Sequence, residues 1–319
     1  MRRLRLRHGF AAGLSPSRKI SPIVASRSFS NSRISHDITP FTRRLFKLPS
    51  APSPPSQNHN SLSTFLSYAE RIGLPTTSTV YVGTHYEYTV LQSLRRYGLA
   101  LHRIGGRDDA GVDLVGTWHL PEREHERAIR VLVQCKALKD KLGPNLVREL
   151  EGTFRQAPVG WRTSETAGVL VSPRESTSGV RNALARSTYP LFWMTVERDG
   201  TLKQVLWNAN AEKLGLSPLG VETRYGTPET DPESESLTQE VALTWDGCDI
   251  PGMDHVERDL ARSEEQWVAS LGAELADTEK NVLLDTVESI FPDGLCDTKP
   301  DGTVSEIHRK RVLDALRKR

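Results

Sequence analysis

Between residues 84 and 196 the apolar residues switch repeatedly between helical and strand periods, and that switching confines the chain to a sheet flanked by helices. Val90, Leu91, Leu94 and Tyr97 recur at helical spacing, which predicts a core helix over Thr84–Tyr97 stopped by Gly98. Three strand-like runs follow, Leu99–Ile104, Val112–Trp118 and Ile129–Lys136, with polar Pro121–Arg127 as the hairpin between the last two. A helix over Pro144–Phe154, a buried strand over Thr166–Ser172, a helix over Ser176–Ser187 and a buried strand over Leu191–Val196 complete the series. The order α-β-β-β-α-β-α-β predicts a mixed sheet, in which an antiparallel hairpin joins a right-handed parallel crossover.

The flanks have a different character. From Met1 to His36 there is no Asp or Glu, whereas Arg2, Arg3, Arg5, Arg7, Arg18, Lys19, Arg27 and Arg33 are basic and serines fill much of the rest. An Arg- and Ser-rich, acid-free start is the composition of a mitochondrial transit peptide, expected here over residues 1–36. Arg27-Ser28-Phe29-Ser30 resembles a matrix-peptidase site cut after Phe29, which points to the matrix. The other reading of the same charge is a basic arm that contacts nucleic acid. Three cysteines, Cys135, Cys248 and Cys296, give no CxxC pair and no disulfide framework, as suits a reducing compartment. No run approaches the roughly 18 apolar residues of a membrane-spanning helix. Residues 37–60 are expected to be a disordered linker, because Pro49–Asn60 is rich in Pro, Ser and Asn. A short helix is expected over Ser61–Ile72. Residues 209–240 read as an acidic linker and Val241–Trp245 as one more short strand, at the head of a C-terminal extension (241–319) with helical periodicity over Glu264–Phe291 and a basic, amphipathic end.

Four polar features stand where a packed core would carry apolar residues. Glu87 lies three and four positions before Val90 and Leu91, beside the buried stripe of the core helix. Arg107-Asp108-Asp109-Ala110-Gly111-Val112-Asp113 leads into a strand, with Gly111 permitting a tight turn. In Val131-Leu132-Val133-Gln134-Cys135-Lys136 a period of two places Gln134 and Lys136 together at the end of a hydrophobic strand. Glu149 sits on the helix beyond. An acid on one strand and a polar-x-lysine on its partner suit phosphodiester cleavage. Mg²⁺, or Mn²⁺ in its place, takes oxygen ligands, which Asp113, the Gln134 side chain, the Cys135 main-chain carbonyl and Glu87 could supply. Such an ion polarises the phosphate, while Lys136 orients water or stabilises the developing negative charge.

Gly83-x-x-x-Glu87, Asp109-x-Gly111-x-Asp113 and Gln134-Cys135-Lys136 resemble, in order and spacing, the PD-(D/E)XK nuclease superfamily, nearest to its Mrr-like restriction-endonuclease branch. With its leader and tail the whole chain is similar to a fungal mitochondrial family named for its requirement in respiratory growth. The resemblance implies a restriction-endonuclease-like α/β fold over residues 61–208, with its core at about 80–198. It also implies Mg²⁺ dependence, nucleic acid (DNA before RNA) as the substrate class, and Asp113, Gln134, Lys136 and Glu87 as active-site positions. The departure is Gln134, which removes one negative charge where the superfamily has an acid.

The same residues also have plainer readings. Asp113 would cap the Gly111 turn, Lys136 would be a snorkelling edge lysine, Glu87 would pair with Arg103, Arg107 or Lys136, and Glu149 would lie on a solvated helix face. Asp108 and Asp109 read as turn residues, and Cys135 as core. His85, His119 and His125 read as surface or loop residues. Lys139, Lys141 and Arg148 read equally as phosphate contacts or as a solvated face. Two functional alternatives follow: a nucleic-acid-binding module that has lost catalysis, or a protein–protein adaptor acting through its C-terminal extension. Oligomeric state has no sequence signal.

Overall fold

The computed structural model describes residues 38–106, 111–138, 142–226, 238–271, 277–292 and 305–318. The leader, the turn residues Arg107–Ala110 and the lysines Lys139 and Lys141 lie outside these residues.

The chain opens with α1 (Pro40–Leu45), α2 (Leu62–Arg71) and α3 (Thr79–Arg95). Helix α3 starts earlier than the apolar stripe alone predicts, because Ser78 caps it by accepting from the Tyr81 amide at 3.2 Å. Strands β1 (Leu99–Arg103), β2 (Leu114–Trp118) and β3 (Ile129–Cys135) form an antiparallel meander. Helix α4 (Asn145–Gln156) leads to β4 (Thr166–Ser172), and α5 (Ser178–Arg186) leads to β5 (Leu191–Val196). Both crossovers return a parallel strand, so β3, β4 and β5 run parallel. An antiparallel β6 (Leu202–Trp207) closes a six-stranded mixed sheet in simple sequence order. The α/β class and the mixed sheet are thus as expected; β6 has no counterpart in the sequence reading.

The two faces of the sheet bury different partners. Val131, Val133, Val169, Val171, Phe192 and Met194 face Tyr86, Val90 and Leu94 of α3. Leu170, Leu191 and Trp193 face Leu146, Val147 and Leu150 of α4 and Val180 and Leu184 of α5. Each such fully buried side chain contributes about 1.5–3 kcal/mol. Alternation along each strand therefore commits Gln134 to the α4 side and Cys135 to the α3 side.

Beyond β6 the chain departs from the expected acidic linker. After the short α6 (Ala209–Glu212), β7 (Leu219–Gly226) pairs with β8 (Thr238–Trp245), and β9 (Cys248–Asp249) completes a second, three-stranded antiparallel sheet. Leu219, Val241, Leu243 and Trp245 join the same core as α3, and the Tyr97 hydroxyl donates to the Val241 carbonyl at 3.1 Å. β8 contains the short strand expected over Val241–Trp245, whereas the acidic composition of residues 222–240 hid β7. Helices α7 (Met253–Ser270), α8 (Asp277–Ile290) and α9 (Glu306–Leu316) follow. The segment expected as a linker before the core also differs: Ile38 and Leu48 pack with Met253, Val256 and Leu260, and Arg44 pairs with Asp285 at 2.7 Å. Residues 38–48 are held in place by the C-terminal helices. Among the described residues, no helix is long and apolar enough to cross a membrane.

Candidate functional site

The site grows from the carboxyl end of β3, where the apolar run Val131–Val133 gives way to Gln134, Cys135 and Lys136. Just before β2 begins, Asp113 holds β3 on both sides of Gln134. Its backbone N–H donates to the Val133 carbonyl at 3.0 Å, and its Oδ2 accepts from the Cys135 amide at 2.6 Å. A carboxylate thus takes a backbone donor at the strand end. The expected strand-start acid is present, but it caps β3 as well as following the Gly111 turn.

Gln134 is 3% exposed, and its Oε1 has no hydrogen-bond partner among the described residues. A buried amide oxygen left unpaired costs about 1–3 kcal/mol. The side chain sits between the Gly111 turn and α4: a Cβ built on Gly111, which has φ +82°, would lie 3.3 Å from Gln134 Nε2 and 3.6 Å from Thr153 Cγ2. Only a glycine combines that φ with that space.

Lys136 continues the same face and reaches α4, with its Nζ 3.3 Å from Glu149 Oε2. Glu149 is therefore a partner of the candidate lysine, not a purely solvated helix residue. Both groups are partly exposed, so the pair is worth at most about 1 kcal/mol of stability; it fixes where the ammonium stands.

Glu87 arrives from the other side of the sheet. Its Oε2 accepts from Arg103 Nε at 2.5 Å, both side chains being almost buried, and Arg103 also lies over the Tyr88 ring at 5.6 Å. This is the Arg103 ion pair among the plainer readings. Glu87 nevertheless borders the site, because a Cβ on Gly105 would meet Glu87 Oε2 and Asp113 Cα, each at 3.2 Å. Cys135 lies on the α3 side; burial, then Asp113 and Glu87, pushes its thiol well above its ordinary pKa and makes it a poor nucleophile.

The structure therefore gathers Asp113, Gln134 and Cys135 at one strand end, sets Lys136 beside them on Glu149, and ties Glu87 to Arg103 at the border. Among the described residues no group of three or more His, Cys, Asp or Glu side chains is arranged to hold a metal ion. The side-chain oxygens at this strand end are those of Asp113, whose Oδ2 accepts from the Cys135 amide, and Gln134 Oε1, a set with a single carboxylate. One neighbouring group has no signal in the sequence. Arg198, just beyond β5, donates to the Ala137 carbonyl at 3.0 Å and so stands next to Lys136. Only the topology that aligns β3 with β5 reveals it. His119 lies in a loop as expected, but it is buried; burial lowers its pKa to about 3.

No solved structure matches the chain. The sequence profile described as Required for respiratory growth protein 7 matches residues 78–127 and 121–225, which hold every candidate site residue. An uncharacterized mitochondrial protein of Schizosaccharomyces pombe is 34% identical over 189 residues, 58% of this chain and 73% of that protein. A Saccharomyces cerevisiae protein named Required for respiratory growth protein 7, mitochondrial, is 31% identical over 160 residues, 38% of this chain and 66% of its own length. Its Candida glabrata namesake is 27% identical over 188 residues, 45% of this chain and 74% of its own length. The mitochondrial designation of these relatives agrees with the acid-free, Arg-rich leader and assigns the chain to the mitochondrion. The chain belongs to the Required for respiratory growth protein 7 family.

Proposed function

We propose that the chain is a nucleic-acid-processing protein of the mitochondrial matrix, with a restriction-endonuclease-like domain that hydrolyses phosphodiester bonds, DNA before RNA, in support of respiratory growth. The observation that carries this reading is the buried Gln134 Oε1, without a partner among the described residues, on a strand end that also holds Asp113 and Lys136. A packed core gains nothing from such a group, whereas a site that binds a cation or a donor does.

Asp113 and the Gln134 side chain would hold a divalent cation, Mg²⁺ or Mn²⁺, joined by the Cys135 main-chain carbonyl. When bound, such an ion supplies electrophilic assistance at the phosphate. Lys136 presents a fixed positive charge to the oxygens on which negative charge develops, and Glu149 keeps that ammonium in place. Glu87 has a supporting role in this scheme: paired with Arg103, it keeps the negative field of the site from being quenched from the α3 side.

The second reading, a binding module that has lost catalysis, is favoured by the same two contacts. Asp113 already accepts from Cys135, and Glu87 is already neutralised by Arg103. The test is incubation of the full chain with labelled single- and double-stranded DNA and RNA, in Mg²⁺, Mn²⁺ or EDTA, beside Asp113→Asn and Lys136→Ala. The enzyme reading expects metal-dependent cleavage that falls on the order of 10²-fold or more in each variant. Binding without cleavage replaces it with the lapsed module. Cleavage that survives EDTA and both substitutions rules it out.

A further inference from the structure

Around the corner from β3, on the α3 side, lies a surface cleft of about 180 Å³ lined by Thr76, Tyr81, Val82, His85, Tyr86 and Arg198. None of these residues is used by the phosphodiester scheme. The Tyr81 and His85 rings stack at 5.8 Å with 24° between their planes, which sets a pair of near-parallel aromatic rings along the first turns of α3. Tyr81 is braced from behind by Phe65 of α2 at 5.5 Å. Across the cleft stands the exposed guanidinium of Arg198, clamped in direction by its hydrogen bond to Ala137, the residue after Lys136. Burial, then Arg198, lowers the His85 pKa, so its ring is neutral at neutral pH and offers a face, not a charge. The floor is the buried Tyr86, whose hydroxyl donates to the Val196 carbonyl at 2.7 Å and leaves the ring in place.

An aromatic pair and a cation lining one cleft, the cation bonded to the residue after the candidate lysine, match a nucleotide unit whose base is unstacked. The base lies on Tyr81 and His85 while its phosphate meets Arg198. At about 180 Å³ the cleft has room for one ring system and not for a base pair. We infer that this cleft binds a single unpaired nucleotide of a single-stranded or locally opened nucleic acid, and so feeds the adjoining backbone past Asp113 and Lys136. The location and direction of that strand rest on the proposed phosphodiester site; binding in the cleft does not.

Fluorescence anisotropy of the full chain with a labelled single-stranded oligothymidine, in EDTA, against a blunt duplex of the same length separates the two. The wild-type chain is expected to favour the single strand. Tyr81→Leu and Arg198→Gln are each expected to weaken single-strand binding about tenfold, and Tyr81→Phe to retain it because the ring is kept. Where cleavage in Mg²⁺ is present, Arg198→Gln should raise KM with kcat retained, the opposite of Lys136→Ala. If no cleavage is found yet the cleft variants lose binding, the cleft stands and the enzyme reading falls. If the duplex binds as tightly as the single strand, or Tyr81→Leu and Arg198→Gln both bind like the wild type, the cleft proposal is overturned.

Discussion

The end of β3 and the β7–β8 hairpin both interleave charged and apolar residues, yet they treat their polar groups in opposite ways. In the hairpin the charges stay outside and find partners there: Arg224 pairs with Asp249 of the neighbouring β9 at 2.5 Å and with Glu222 of its own strand at 3.0 Å, while Val241, Leu243 and Trp245 turn into the core. At β3 the polar side chain itself is turned inward, and Gln134 reaches the interior with an unpaired oxygen. The first arrangement serves the fold. The second costs stability locally, and such a cost is usually retained where it serves a site. His119 sharpens the contrast. Its Nδ1 is also buried and unpaired, but among the described residues no acid–lysine pair adjoins it, so an orphan atom alone does not make a site.

If the hairpin belongs to the core, breaking its inner face should have the largest effect. Leu243→Ala is expected to cost about 2–5 kcal/mol in chemical denaturation. Truncation at Trp207 should prevent cooperative folding altogether. A hairpin that merely decorates the core would leave both proteins near wild-type stability.

His119 should show itself in acid. Its folded pKa is lowered from 6.5 to about 3, so between those values the unfolded chain binds the extra proton. Stability should therefore be highest above pH 6.5 and fall as the pH drops toward 3, by up to about 1.4 kcal/mol per pH unit. Thermal melts of the wild type and His119→Gln across this range should converge if that residue is the source.

Gln134→Glu inverts the β3 arrangement by adding the missing charge. Without metal it should destabilise by about 1–3 kcal/mol, and Mn²⁺ should restore the loss. A melt indifferent to Mn²⁺ would remove the cation from the scheme.

The smallest effect belongs to the exposed pair. Arg224→Ala should cost at most about 1 kcal/mol and less in high salt. Arg224 holds the Asp249 carboxyl below its ordinary pKa. What the pair contributes is therefore present above about pH 4, the unfolded carboxylate value, and fades as the pH falls through the lower folded value.

Much of this was legible in the chain. The apolar runs of β3, β4 and β5 are long and uninterrupted because both sheet faces are covered, and their bounds could be read closely. Gln134 and Lys136 stood out because they interrupt such a run. The β7 strand was masked because its charges are paired across the hairpin surface, a fact that composition reads as disorder. Arg198 was invisible for another reason: it lies more than a hundred positions from the Tyr81–His85 pair and meets it only once the parallel strands are aligned, and the pair itself was missed because the expected helix began at Thr84. Glu87 was found, but its Arg103 partner could not be chosen over Arg107 or Lys136 without the backbone.

The most direct test of the central claim, that Gln134 is buried for chemistry and not for packing, is Gln134→Leu read for unfolding free energy and for metal-dependent cleavage on the same preparation. The account predicts stability unchanged within about 1 kcal/mol or raised, because an unpaired buried oxygen is removed, and cleavage lost. A variant several kcal/mol less stable that still cleaves would contradict it, and would return Gln134 to the fold.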